Sequence, residues 1–241
     1  MLRIDLNCDM GEGISNDEAL MPFITSANIA CGYHAGDEKT MQRTVLLAKE
    51  HGILIGAHPS FDDRENFGRT EMPWEPEEVY HLVTQQIRLL KDIAEDHEAV
   101  LHHVKPHGDL YNQSARNPKL AKIIAQAVKD VDEQLVLYGL SGSHSIKEAE
   151  RFGLLTKCEV FADRTYQDDG SLTPRSQPNA LIEDADEAVG QVLQMVNEGT
   201  VTTVSGKRIP IVAETICIHG DGKHAVTFAK AIREQLEFYH W

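Results

Sequence analysis

Short apolar runs of strand length recur at residues 2–8, 27–31, 53–57, 100–105, 134–139, 157–162 and 215–219, and amphipathic helical patterns fill the intervals. A strand-helix series of this kind packs as a parallel sheet, either open and doubly wound or closed into a barrel. Periodicity alone does not choose between them. Several runs show little polar alternation, as in strands buried on both faces. The helices carry their own punctuation. Asp37 caps one that stops at Gly52, Pro76 sits in the first turn of a long one, and Asn117-Pro118 opens another. Further helices are expected over 143–152, 186–198 and 222–238, each on an apolar stripe at helical spacing. Residues 201–204 and 208–212, joined through Ser205-Gly206-Lys207, read as an inserted β-hairpin. Residues 58–75 and 164–183 are connections too long to be mere turns, and such loops are usually functional.

The 241 residues fit one barrel-sized domain, 1–241. A net charge of −15 opposes binding to nucleic acid or to an anionic membrane surface. It also means that an anionic substrate must meet local cations. The N-terminus lacks a signal-peptide apolar run, and no stretch has membrane-spanning length, so a cytoplasmic protein is expected. Cys8, Cys31, Cys158 and Cys217 are widely spaced and in no CxxC pair, which suits reduced, buried thiols.

Polar residues gather at the carboxyl ends of the strands, the edge where parallel α/β proteins build their sites. Asp5, Asn7 and Asp9 alternate along the first strand and share one face, with Glu12 just beyond. Later strands deliver His34, His58, Lys105, His107, Asp163, Arg164, His219 and Asp221. His34, His58, His107 and His219 are each followed within two residues by Pro or Gly, which lets backbone approach a ligand. Any one of these residues alone suits a structural role, and Asp221 suits a helix cap. Their coincidence at one edge points to an enclosed polar pocket. Asp9, His58 and His107 form a candidate divalent-metal set, since a carboxylate and two imidazoles leave coordination positions open. Ser60 lies in no GxSxG elbow, and Gly206-Lys207-Arg208 lacks the spacing and the Ser/Thr of a P-loop.

The ordered blocks DLNCDMGE (5–12), SANIACGYHAGD (26–37), GAHPS (56–60), FGR (67–69), KPHGDLYN (105–112), EVFADRTYQDDGSL (159–172) and TICIHGD (215–221) resemble the LamB/YcsF family along essentially the whole chain. That resemblance implies a (β/α)7 barrel related to glycoside hydrolases and polysaccharide deacetylases. It also implies ATP-driven opening of 5-oxo-L-proline to L-glutamate by one component of a 5-oxoprolinase, with partner subunits B and C. ATP enters as a co-substrate bound on the partners. In this reading Asp9, Glu12 or His107 activates water and His58 or His219 protonates the leaving nitrogen. Asn7, His34, Lys105, Asp163, Arg164 and Asp221 contact the substrate, with Lys105 as the cation for its carboxylate. Lys105→Met should then cost binding more than stability; the rival account has Lys105 neutralising a pocket carboxylate. Two other functions stay open: a stand-alone metal-dependent deacetylase or amidohydrolase, and a non-catalytic binding subunit. A homo-oligomer is a further open alternative.

Overall fold

A computed structural model describes residues 4–219 and 225–237. β1 (Asp5–Met10) leads to a short helix α1 (Asp17–Leu20), β2 (Ser26–Ala30) to α2 (Glu38–His51), and β3 (Leu54–His58) to α3 (Pro76–Asp96). After β4 (Leu101–Val104) come two helices, α4 (Gly108–Arg116) and α5 (Pro118–Val131). β5 (Val136–Leu140) precedes α6 (His144–Arg151), and β6 (Thr156–Phe161) precedes α7 (Ala185–Glu198). An antiparallel hairpin of β7 (Thr200–Thr202) and β8 (Arg208–Pro210) then stands before β9 (Thr215–Ile218) and α8 (Ala225–Glu237). Strands β1 to β6 and β9 pair in parallel, and β9 closes on β1. The sheet is therefore a closed (β/α)7 barrel with the hairpin outside it. Among the described residues no helix is long and apolar enough to cross a membrane.

The helix ends follow from local chemistry. The Asp37 carboxylate accepts from the Thr40 amide, Asn117 from those of Lys119 and Leu120, and Asp184 from that of Glu187. Gly52 and Gly199 take the left-handed conformation that ends α2 and α7. Two expectations need correction. The first strand runs on to Met10, past the expected end at residue 8; and residues 108–116, for which no helix was expected, form one that buries Leu110, Tyr111 and Ser114. Residues 2–3 and the expected helix start at 222–224 lie outside the described residues.

The barrel strands are buried on both faces, but only one face is apolar. Leu6, Cys8, Met10, Ile29, Val104, Val160 and Ile216 belong to the layer packed under the helices. The interior is polar, unlike the branched aliphatic filling usual in such barrels. At its lower end the Asp5 carboxylate accepts from Thr25, Ser26 and Thr215 hydroxyls at 2.5, 2.6 and 2.6 Å. Above it Asn7 donates to Thr215 at 2.6 Å, and Asn28 donates to both Asn7 and Asp9. His103 stacks on Tyr138 at 4.1 Å and bonds through Nε2 to Asn28 Oδ1 at 2.9 Å. The ring occupies the place where a side chain at 56 would begin, since a Cβ on Gly56 would fall 2.0 Å from His103 Nε2.

This buried imidazole makes stability depend on pH. Burial, aided by the His102 and Lys157 charges, holds His103 well below its ordinary value of 6.5 despite the opposing pull of Asp5. The unfolded chain takes up a proton at this position below about pH 6.5 and the folded chain does not, so stability present above that pH is lost as pH falls. The expected contribution is about 1.4 kcal/mol per pH unit. Urea unfolding of the wild type and His103→Gln between pH 7.5 and 5.5 measures it; equal pH slopes would show that His103 is protonated in the fold.

Candidate active site

The pocket floor is an ion-pair box. Lys105 Nζ lies 2.9 Å from Asp9 Oδ1, 2.9 Å from Glu159 Oε1, 3.2 Å from Asn7 Oδ1 and 3.0 Å from Cys217 Sγ. All five residues are buried. Burial alone would push the Asp9 carboxyl up, but the charges of His58 and Lys105 hold it well below the usual range. Burial alone would draw the ammonium down, but Asp9, Cys217 and Glu159 hold it well above its usual value. The box is therefore charged, and the three protons of the ammonium already have four partners. Lys105 is placed as the rival account has it, between pocket carboxylates.

Beside the box stand three buried imidazoles. His34 and His107 stack face to face at 3.8 Å and 6°, and His58 meets both edge-on. His58 Nδ1 is 2.7 Å from the Lys105 carbonyl, and His107 Nε2 is 2.9 Å from the Phe67 carbonyl. Their other nitrogens, His58 Nε2 and His107 Nδ1, lie 2.9 Å apart. Glu12 Oε1 is 3.2 Å from His34 Nε2 and 3.7 Å from His107 Nδ1, while Asp9 Oδ2 is 3.4 Å from His58 Nε2. Burial and the neighbouring His58 hold His34 down at about 2, and burial and His34 hold His107 well below its usual value. The 58–75 loop closes over this cluster at Gly68, which is left-handed and whose Cβ would fall 3.0 Å from both His107 and His34. Ligand atoms of Glu12, His34, His58 and His107 lie within 4.8 Å of one another, as do those of Asp9, Cys217 and His219. Either group has the donor types of a metal site.

A third unit adjoins the box, with a His219 nitrogen within 4.8 Å of Asp9 and Cys217 ligand atoms. His219 Nδ1 lies 2.9 Å from both carboxylate oxygens of Asp163, which also accepts from the His219 amide. Burial pushes the Asp163 carboxyl up, yet His219 outweighs it and the group stays below the usual range. Arg164, next in sequence, also lines the pocket, and its guanidinium donates to the carbonyls of Ala180 and Thr173, holding the 164–183 excursion. A cavity of about 1080 Å³ joins Asp9, His58, Lys105, His107 and His219 to the rim cations Arg69 and Arg175.

Most of the residues singled out in the sequence thus converge, from strands β1, β2, β3, β4, β6 and β9 and the loops after them. Asp221 lies outside the described residues. Glu159, Cys217 and Asn28 were not among the site candidates, and Ser60 was weighed only as a nucleophile; Glu159 was readable from the polar alternation of Lys157 and Glu159, as Asp5, Asn7 and Asp9 were from theirs. The cysteines are free, and Cys158 is only half-buried.

A closed parallel barrel whose interior carries ion pairs and imidazoles up to an open pocket is the architecture of a (β/α) barrel enzyme. The fold is shared with a family 4 carbohydrate esterase from Streptomyces lividans, at TM-score 0.50 and 11% identity over 98% of this chain and 88% of that one. The chain belongs to the LamB/YcsF family, whose model matches residues 4–240. It is 54% identical over 98% of its length to a protein of Brevibacillus brevis named as the A component of 5-oxoprolinase, of which 95% is covered. It is also similar to a solved lactam utilization protein from Thermus thermophilus, with TM-score 0.92 and 42% identity over 98% of this chain and 97% of the other.

Proposed function

We propose that this chain is the A-type component of an ATP-dependent 5-oxoprolinase, opening the lactam 5-oxo-L-proline to L-glutamate with partner subunits B and C. The observation that carries the reading is the 54% identity, over nearly the whole of both chains, to the Brevibacillus brevis protein named for that component. The pocket supports it with groups suited to amide chemistry.

A lactam carbonyl is resonance-stabilised and its nitrogen leaves poorly. Phosphoryl transfer from ATP to the carbonyl oxygen, forming the O–P bond and releasing ADP, removes the first obstacle. Gly206-Lys207 falls in the turn of the β7–β8 hairpin and in no strand-to-helix phosphate loop, so ATP handling is assigned to the partners. Water then adds to the activated carbon and the carbon–nitrogen bond breaks, the nitrogen leaving with a proton. The acyl phosphate that results takes up a second water to give glutamate and phosphate. His219 suits both proton transfers. Asp163 fixes its proton on Nδ1 and leaves Nε2 as the base that takes a proton from water and returns it to nitrogen. Asp9 and Lys105 act as a fixed dipole at the floor, and Arg69 and Arg175 meet the substrate carboxylate at the rim.

The test is the chain together with its two partner subunits, assayed for glutamate formed and ATP consumed. Equimolar glutamate and ADP are expected. A complete system without this turnover overturns the reading, and hydrolysis by the chain alone, without ATP, would favour the stand-alone amidohydrolase.

A further inference from the structure

We propose that the loop after β5 and the first turn of α6, Ser141 to Lys147, form a binding site for a phosphoryl group at the wall of the cavity. The inference deepens the 5-oxoprolinase reading, in which a phosphorylated lactam forms and phosphate is released, and it rests on that reading for the identity of the ligand. β5 brings none of the candidate charged residues to the pocket; it brings Ser141-Gly142-Ser143 and the open end of a helix. Gly142 is left-handed at φ 76°, and a Cβ there would meet nothing within 4 Å, so the loop turns with bare backbone at the cavity wall. Ser143 holds the N-cap position with extended backbone, where a serine ordinarily accepts from the first-turn amides, yet it makes no cap bond. Its Oγ is buried without a hydrogen-bond partner, and the residue lines the cavity. The amides of His144, Ser145 and Ile146 are left without an acceptor, since no carbonyl within a helix can reach its first turn.

A second unsatisfied group lines the same space. Tyr111 is 5% exposed, its hydroxyl has no hydrogen-bond partner, and it reaches the cavity from α4. Burial and the Glu159 charge hold its pKa well above the ordinary value, so it keeps its proton and is a donor. α4 meets α6 where Ser114 Oγ and Ser145 Oγ lie 2.9 Å apart, and Tyr111 stands one turn before Ser114. Ser141 Oγ accepts from the Val212 amide at 3.0 Å, which ties the β7–β8 hairpin with Lys207 to this wall. Buried polar groups without partners are rare and costly, and here they gather where a ligand would supply the oxygens. The charge balance agrees. Among the described residues the cavity is lined by eight Lys and Arg against four Asp and no Glu, in a chain with 23 basic and 38 acidic residues. Lys147 belongs to that lining and makes no ion pair among the described residues. Three amides, two hydroxyls and an ammonium offer more donors than the two oxygens of a carboxylate take up, and they suit the three oxygens of a phosphoryl group. Arg69 and Arg175 are left for the carboxylate of the lactam.

The rival account is an ordinary helix start whose unbonded groups meet water. Full-length chain without its partners, titrated with inorganic phosphate and followed by calorimetry and phosphorus NMR, separates the two. One equivalent should bind, and Ser143→Ala and Lys147→Met should each weaken binding by about 10-fold. Tyr111→Phe, which removes only the hydroxyl, should act in the same direction. Circular dichroism of the variants separates a lost ligand from a lost fold. A wild-type chain that binds no phosphate, or affinity unchanged in the Ser143 and Lys147 variants, overturns the proposal. Acetate or ATP at equal concentration should leave phosphate bound; displacement by either makes this a carboxylate or a nucleotide subsite and overturns it too. Turnover with the partner subunits is a separate measurement. Glutamate formed by a chain that binds no phosphate removes the site and keeps the 5-oxoprolinase reading, whereas phosphate bound without any glutamate formed does the reverse.

Discussion

Lys105→Met should destabilise the folded chain by about 3–5 kcal/mol, because removing one partner of a buried ion pair leaves the other charged and desolvated. Here two carboxylates, Asp9 and Glu159, are left behind at once. Methionine nearly matches the length of the lysine stem, so lost packing contributes little and the electrostatic change dominates. Urea unfolding at neutral pH reads the effect directly. A double variant, Lys105→Met with Glu159→Gln, should recover part of the loss, since residues that share one network do not act additively. Near-normal stability with abolished turnover would instead make Lys105 the cation for the substrate carboxylate, with Asp9 and Glu159 neutral in the free protein.

The second large effect falls on chemistry. With the partner subunits present, His219→Ala should lower kcat by a factor of about 10²–10⁴, the range supplied by a positioned acid–base group. The substitution also strips the buried Asp163 carboxylate of its partner, so kcat is compared on protein whose fold is verified by circular dichroism. Asp163→Asn should act in the same direction, because an amide can present its NH₂ to Nδ1 and drive the ring into the wrong tautomer. Turnover within a few-fold of wild type in both variants would remove the pair from the reaction and return the proton transfers to His58 or Glu12.

The elements were legible where their signals are local. Asp37, Asn117, Gly52 and Gly199 mark helix ends because capping joins residues a few positions apart. Barrel closure is different in kind: it depends on β9 meeting β1, with contacts such as Asn7 to Thr215 across 208 residues, and no window of sequence contains both. The family resemblance supplied that answer where periodicity could not. α4 was hidden by its own start. Gly108 is left-handed and approaches the Gly68 carbonyl so closely that a Cβ would lie 2.2 Å from it, and Gly-Asp after a strand reads as a turn. For the site, alternation and strand-end position located the pocket, but they carry no information on where a side chain points. Arg164 ends a strand as Lys105 does, yet its guanidinium serves loop carbonyls. The pairing of Lys105 with Glu159, 54 positions apart and two strands away, likewise lies outside any local window of sequence.

The inward file of β1 has a bearing on how the chain assembles. Asp5, Asn7 and Asp9 turn inward while Leu6, Cys8 and Met10 turn toward the helices. A slip of one residue against β2 or β9 would reverse every one of these side chains. Two carboxylates would then press into an aliphatic layer without partners, at several kcal/mol apiece, while sulfur and alkyl groups faced the ammonium of Lys105. Misregistered closures are thereby removed by the same groups that equip the finished site. Evolutionary drift toward an oilier interior would erode folding fidelity before it reached catalysis, which ties the active-site residues of this strand to the proofreading of its own assembly.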